Sequence, residues 1–252
     1  MCFLIQIQFF KFAALKFLRI DTQTAFIFDR APSFPLPSDI LPTINIQLPK
    51  LPPDQSLLDA CITEEMVSAA KELLALTQYM ISELAVRDLW DEGIFAGLHV
   101  VHLIYKFLSF RHNINECGTT LAREESFRLG ALIYLGSIRQ KSGVQFTAEI
   151  FVLKLKQAII ASALAEINPL LLWLLLLGGA QSLDCDGHGW FIRTTICAIN
   201  RLEYLSWDEL IACARRVSWV DGILNIECEN FHREISTELF RVHGYSISHE
   251  FS

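Results

Sequence analysis

The most continuous apolar stretch of the chain is Leu170–Ala180, where seven leucines, Trp173, Gly178 and Gly179 leave no polar position. Just before it, Asn168 is a residue type that caps helices. Pro169 suits a first helical turn, where its missing N–H has no intrahelical partner to lose. Gly178 and Gly179 predict the end of that helix, because glycine readily takes the left-handed conformation that closes helices. A helix apolar on every side has no face to offer water, so the pattern predicts a buried central helix enclosed by other elements. Its eleven residues fall short of the ~20 that a bilayer span needs.

Elsewhere the apolar positions recur with helical spacing. Thr63 as a cap, Glu64 and Glu65 in the first turn, and Met66, Ala70, Leu73 and Met80 on one face predict a helix from residue 63. A second, at about Leu89–Phe110, is apolar on most sides and is broken by Asn113–Gly118. Thr120 opens a third, with Phe127, Ala131, Tyr134 and Ile138 on one face and a Glu124–Arg128 pair on the polar side. Thr147 opens a fourth that runs to about Ala165. After the loop Gln181–Gly189, helices are expected at about Trp190–Leu202, from the Ser206/Glu209 capping-box spacing to Val217, and at about Glu227–Phe240. No alternating strands joined by Asn-Gly or Asp-Gly turns interrupt this series. The expected fold is all-α, a multi-helix bundle-like domain around the buried apolar helix.

Seven of the eight prolines lie between Pro32 and Pro53. Proline removes amide donors and disfavours helix in the residue before it, so residues 31–55 read as a Pro-rich linker. Residues 1–30 are an N-terminal segment of uncertain role, and residues 56–252 form the helical domain. Met1–Ile20 is apolar, but its cations Lys11, Lys16 and Arg19 come late, the reverse of a secretory signal. That order disfavours a signal or anchor, and membrane is not an expected partner.

Composition sharpens this picture. Apolar residues make up 52% and charged residues 19%, below the ~25% usual for soluble domains, which implies a large core with little polar surface to spare. A net charge of −7 opposes binding to a polyphosphate backbone, so this chain alone is not expected to hold nucleic acid. Cys2, Cys61, Cys117, Cys185, Cys197, Cys213 and Cys228 are scattered, without the close pairs a zinc cluster requires. They read as free thiols in a reducing compartment.

Each candidate for chemistry has a plainer reading. Asp184-Cys185-Asp186-Gly187-His188-Gly189 matches the first positions of a calcium loop, but Thr195 stands where the bidentate Glu belongs; an Asp/Gly turn between helices is the simpler account. His99 and His102 are three apart with Val100 and Val101 between them, not the i, i+4 pair with an adjacent acid that binds zinc, and read as buried, hydrogen-bonded side chains. Ser137 lacks the second glycine of a nucleophile elbow. Trp173, Trp190, Trp207 and Trp219 either pack helices or line a cavity. If a small-molecule pocket exists, Tyr134 and Trp190 are its expected lining. No catalytic, cofactor-binding, metal or DNA-binding residue is expected.

The segment Pro169–Ala180, followed by Gly189-Trp190-Phe191-Ile192, resembles the leucine-rich, Trp, Gly-Gly, then Trp-Phe-Val segment of the fungal-specific transcription factor domain. Two flanking stretches extend the resemblance: Glu125-Ser126-Phe127-Arg128-Leu129-Gly130-Ala131-Leu132-Ile133-Tyr134-Leu135 upstream, and Ser206-Trp207-Asp208-Glu209-Leu210 with Val217-Ser218-Trp219-Val220-Asp221 downstream. It covers roughly residues 60–240 and rests on ordered apolar and Trp positions. The resemblance implies an all-helical regulatory domain of a nuclear protein that modulates transcription through effector or protein contacts, including homo- or heterodimerisation and contacts with other transcription factors or co-regulators. In the family the domain follows a binuclear zinc cluster, whose cysteine spacing this sequence lacks. Three explanations stay open: a co-regulator acting through protein contacts, a degenerate paralogue, or a truncated gene model. The rivals are an all-helical small-molecule enzyme, which would want an Asp-Asp-x-x-Asp run that is missing, and a membrane-associated protein using residues 1–20.

Overall fold

Helices account for the architecture of the computed structural model, which describes residues 16–35, 54–90, 95–110, 118–145, 147–162, 166–183, 185–202 and 206–249. Helix α1 covers residues 16–27. There follow α2 (Gln55–Leu58), α3 (Glu64–Leu84), a π-helical turn (Phe95–Val100) leading into α4 (Val101–Ser109), α5 (Thr119–Lys141) and α6 (Glu149–Ala161). The chain ends with α7 (Pro169–Ala180), α8 (His188–Arg201), α9 (Trp207–Val217) and α10 (Asn225–His249). No strand occurs among the described residues, and the fold is all-α.

Helix α7 is the centre. The Asn168 side chain accepts the Leu171 amide at 2.9 Å and Pro169 occupies the first turn, as the sequence pattern predicts. Every residue from Leu170 to Ala180 is buried. Helices α2, α5, α6, α8, α9 and α10 all pack on α7, so each side of it meets another helix. Fully burying a leucine contributes roughly 1.5–3 kcal/mol, which makes its seven leucines a principal source of the domain's stability.

The two glycines do not end this helix. Gly178 and Gly179 lie inside it, neither has a positive φ, and the cap is Gln181, whose amide donates to the Leu177 and Gly179 carbonyls. Their role is close approach. A Cβ on Gly178 would overlap the ring of Phe191 from α8, and one on Gly179 would overlap the ring of Phe231 from α10.

Helix α5 departs from the expected amphipathic pattern. Nearly every residue from Ala122 to Arg139 is buried, including Glu124, Glu125, Arg128 and Arg139. Glu124 and Arg128 do not pair. Glu124 instead accepts the Ile62 amide and, at 3.3 Å, the Thr63 amide, fixing the entry to α3.

Several helix starts follow their signals. Thr63 caps α3 through the Met66 amide, and the Ser206/Glu209 capping box at α9 is complete. Others shift. The fourth expected helix begins at Glu149, with Ala148 rather than Thr147 at its cap, and ends at Ala161. Helical structure before α4 begins at Phe95 as a π-turn rather than at Leu89; residues 91–94 and the Asn113–Cys117 break lie outside the described residues. The last helix starts at Asn225 and reaches His249, nine residues past Phe240.

The N-terminal segment contributes to the core from residue 16 onward. Leu18, Ala25 and Phe26 are buried, and Phe26 stacks on Phe151 of α6 at 4.9 Å. Within α1, Asp21 accepts the amides of Ser33 and Phe34 from the segment that follows, at 2.8 and 2.9 Å, and the Tyr105 hydroxyl of α4 donates to the Phe34 carbonyl. Of the expected linker, residues 36–53 lie outside the described residues. Asp54 then caps α2 and pairs with Arg216 at 2.7 Å.

Candidate functional site

Tyr134 and Trp190, the two residues expected to line a pocket, sit in different surroundings. Tyr134 on α5 is buried with its ring edge-on to Trp173, centroids 6.2 Å apart. Beside it Thr77 and Ser218 share a hydrogen bond of 2.7 Å, and the Trp173 indole N–H donates to the Ser218 carbonyl at 2.6 Å. The Tyr134 hydroxyl is turned toward this group, yet no partner meets it in hydrogen-bond geometry. Burial drives its phenol well above the ordinary value, against the opposing pull of Thr77, Ser218 and the Val220 backbone. This is a neutral polar knot joining α3, α5 and α7 to the turn after α9.

Trp190 lies half-buried in the first turn of α8, edge-on to Phe191 at 4.9 Å. A groove of about 420 Å³ runs beside it, lined by Gly189, Ile192 and Arg193 of α8 and by Arg233, Glu234, Thr237 and Glu238 of α10. Trp190 does not line it. His188 bridges Ser182 Oγ (2.8 Å) and Glu234 Oε2 (2.6 Å), and Glu238 meets Arg241 at 3.1 Å. The groove thus carries two guanidiniums, Arg193 and Arg233, and two carboxylates, Glu234 and Glu238.

Two further ionic groups are built into the fold. Arg128, almost fully enclosed, donates to both oxygens of Glu125 at 2.6 and 2.7 Å, to Asp29 at 3.3 Å and to the Phe107 carbonyl at 3.3 Å. Lys154 of α6 meets the other Asp29 oxygen at 2.5 Å. Asp29 has φ 42, in the left-handed region that Asp enters more readily than most residues. Burial works against the Arg128 charge, but Glu125 and Asp29 outweigh it and hold the guanidinium above its ordinary pKa.

The second group joins α3 to α4. Glu72 accepts Lys106 Nζ at 2.6 Å and faces His102 Nε2 at 3.4 Å, while His99 lies one turn before His102. Burial raises the Glu72 pKa, yet the hydrogen bonds and charges of His102 and Lys106 carry it below the usual carboxylate value. Burial, with His102 nearby, holds His99 below the ordinary imidazole value. Both groups therefore bind fewer protons in the folded than in the unfolded chain. Their stabilisation is complete above the unfolded imidazole pKa of about 6.5 and is lost as pH falls, first at His99 and then, below about 4.3, at Glu72. The melting temperature is expected to decline as pH falls from about 6.5 to 5, and His99→Gln should flatten that decline. Equal slopes for the two proteins in a pH series of thermal melts would count against this assignment.

Among the described residues no group of three or more His, Cys, Asp or Glu side chains is placed to hold a metal ion. Of the Asp/Gly turn, Asp184 lies outside the described residues, and His188 starts α8 with both ring nitrogens engaged. Cys61, Cys197, Cys213 and Cys228 are free thiols. Burial, with a smaller push from neighbouring acids, raises Cys61 and Cys228 to about 12, so neither is a nucleophile at neutral pH. Ser137 lies inside α5 and donates to the Ile133 carbonyl at 3.0 Å.

Sequence reading missed the Asp29–Arg128–Glu125 group because Asp29 is 99 positions from Arg128. One signal was legible: Arg128 is the single charge in the otherwise apolar run from Phe127 to Gly136, an arrangement that demands a partner. Set against protein-family models, curated proteins and solved structures, the chain matches none.

Proposed function

We propose that the chain is a regulatory domain similar to the fungal-specific transcription factor domain, acting in the nucleus through contacts with other transcription factors, co-regulators or an effector rather than by catalysis or by holding DNA itself. The observation that supports this reading is where the resembling segments meet. Gly178 of the central segment backs onto Phe191 of the Trp-Phe segment. Trp173 reaches Ser218 of the downstream segment, and Gly130 of the upstream one makes room for the Trp173 and Leu174 side chains. The ordered glycine and aromatic positions that carry the resemblance are thus the positions at which helices touch. Coincidental likeness of apolar runs does not require that.

The polar residues of the interior are consistent with the same reading. Glu124, Arg128, Thr77 and Ser218 are engaged in joining helices. The net charge of −7 favours protein contacts over phosphate contacts.

A transcription reporter tests the proposal. The full chain, fused to a heterologous DNA-binding module with no activation function of its own, is expected to change reporter output several-fold relative to the module alone. The same fusion carrying Gly179→Val, a packing defect, should lose the effect. Output indistinguishable from the bare module would overturn the proposal.

A further inference from the structure

Helix α1 is apolar on two separate sides. One side, with Leu18, Ala25 and Phe26, is buried in the domain. Placed at 100° per residue, Phe17, Ile20, Thr24 and Ile27 fall together on another arc of about 80°, facing away from it. Phe17 is 67% exposed, Ile20 62% and Ile27 58%, and the turn that follows adds Phe28 and Phe34 at 62% and 60%. Scattered exposed leucines or isoleucines are ordinary on protein surfaces, but five large apolar side chains on one helix and its following turn mark a contact surface.

The exposed charges of α1 and its following turn have one sign. The exposed ionisable residues between positions 16 and 35 are Lys16, Arg19 and Arg30. The two acids of the stretch are buried and engaged elsewhere: Asp21 holds the Ser33 and Phe34 amides, and Asp29 holds Arg128 and Lys154. Arg30 lies over the Phe28 ring at 5.7 Å. A locally cationic surface thus stands on a chain whose net charge is −7.

We propose that the outward face of α1 and its following turn, formed by Phe17, Ile20, Ile27, Phe28 and Phe34 and rimmed by Arg19 and Arg30, docks reversibly on the surface of an anionic lipid bilayer. A helix with aromatic and aliphatic side chains on one arc and Lys or Arg at its edge lies in the interfacial plane, its apolar arc at the boundary of headgroups and acyl chains. Anionic headgroups attract such cations, and that attraction weakens as salt screens it. The docking is peripheral: among the described residues no helix is long and apolar enough to cross a membrane. A second copy of the chain suits the face less well, since pairing it with itself sets Arg19 and Arg30 of one copy against those of the other. The inference is independent of the transcriptional reading and differs from the sequence-based expectation that membrane is not a partner.

Co-sedimentation of the full chain with vesicles tests it, using phosphatidylcholine alone and phosphatidylcholine mixed with phosphatidylserine. Binding is expected to the mixed vesicles, much less to the neutral ones, and to fall as salt rises. Phe17→Ser/Ile20→Ser/Phe28→Ser should weaken it roughly tenfold or more, because these side chains supply the buried apolar area. Arg19→Glu/Arg30→Glu should remove the preference for phosphatidylserine and provides a second reading if the triple variant unfolds. Thermal unfolding of each variant reports whether the fold is intact. Absence of binding to either vesicle, or unchanged binding by folded variants, overturns the proposal. So does a wild-type chain that ignores vesicles and self-associates, with the association lost in the triple variant, which would assign the face to a second copy.

Discussion

Gly179→Val is expected to destabilise the domain by about 3 kcal/mol or more, the upper end of what overpacking a closed core costs. The position is helical, and at an exposed helical site replacing glycine by alanine would stabilise by about 1 kcal/mol. Here the new Cβ would overlap the Phe231 ring, which is fully buried beside His188, with ring centroids 6.0 Å apart. Neither α7, enclosed by six helices, nor the Phe231 ring can yield without disturbing the contact between α7 and α10. Valine adds a branched side chain where not even one carbon fits. Gly179→Ala should therefore destabilise as well, by less than valine. Denaturant midpoints of the two variants check the sign. Adding Phe231→Ala should make the combined loss smaller than the sum of the single losses, with a coupling of roughly 0.5–3 kcal/mol. A Gly179→Ala protein more stable than wild type would show that the glycine is not there for close approach.

Arg128→Met is expected to cost about 3–4 kcal/mol at neutral pH, within the range found when one partner of a buried ion pair is removed. Methionine has a comparable length and fills much of the space, so the loss reads the charge more than the volume. The change strands Glu125, whose side chain is only 5% exposed, without the guanidinium that engages both its oxygens. Asp29 fares better, because Lys154 still holds one of its oxygens. Pairing Arg128→Met with Glu125→Gln should recover a large part of the loss, since no buried carboxylate is then left at that position. The single variant should also lose the least, relative to wild type, at acid pH, where the stranded carboxyl takes up a proton. The measurement is chemical denaturation at neutral and acid pH. A cost below about 1 kcal/mol for the single variant would mean that the buried charges are not mutually compensated as the distances imply. Because Asp29 follows α1 directly, loosening this group should also weaken the attachment of α1 and with it the placement of the cationic apolar face.

Much of the helical framework was legible along the chain because its signals are local. Caps at Thr63, Asn168 and Ser206, proline at the first turn of α7, and the unbroken apolar run from Leu170 are properties of a few adjacent residues. Each predicts an element that forms where expected. The burial of α7 on every side follows from the same logic, since an all-apolar helix in water has no alternative. For α5 the polar letters misled: Glu124 and Arg128 are spaced as a surface pair, but both are buried and engage Ile62, Thr63, Glu125 and Asp29 instead.

The sequence by itself determined the class of fold, the central helix and several of the helix starts, because hydrophobic periodicity and capping act within a turn or two of the chain. Only the tertiary structure decided what the glycines of α7 are for, which acids compensate Arg128, that Tyr134 is buried against Trp173 while Trp190 lies half-buried in the first turn of α8, and that α1 carries a second apolar face outward. Each of those depends on residues tens of positions apart coming within a few ångströms. Spacing along one helix fixes the direction in which a side chain leaves the backbone, whereas the atoms it meets are supplied by whichever helix packs on that side.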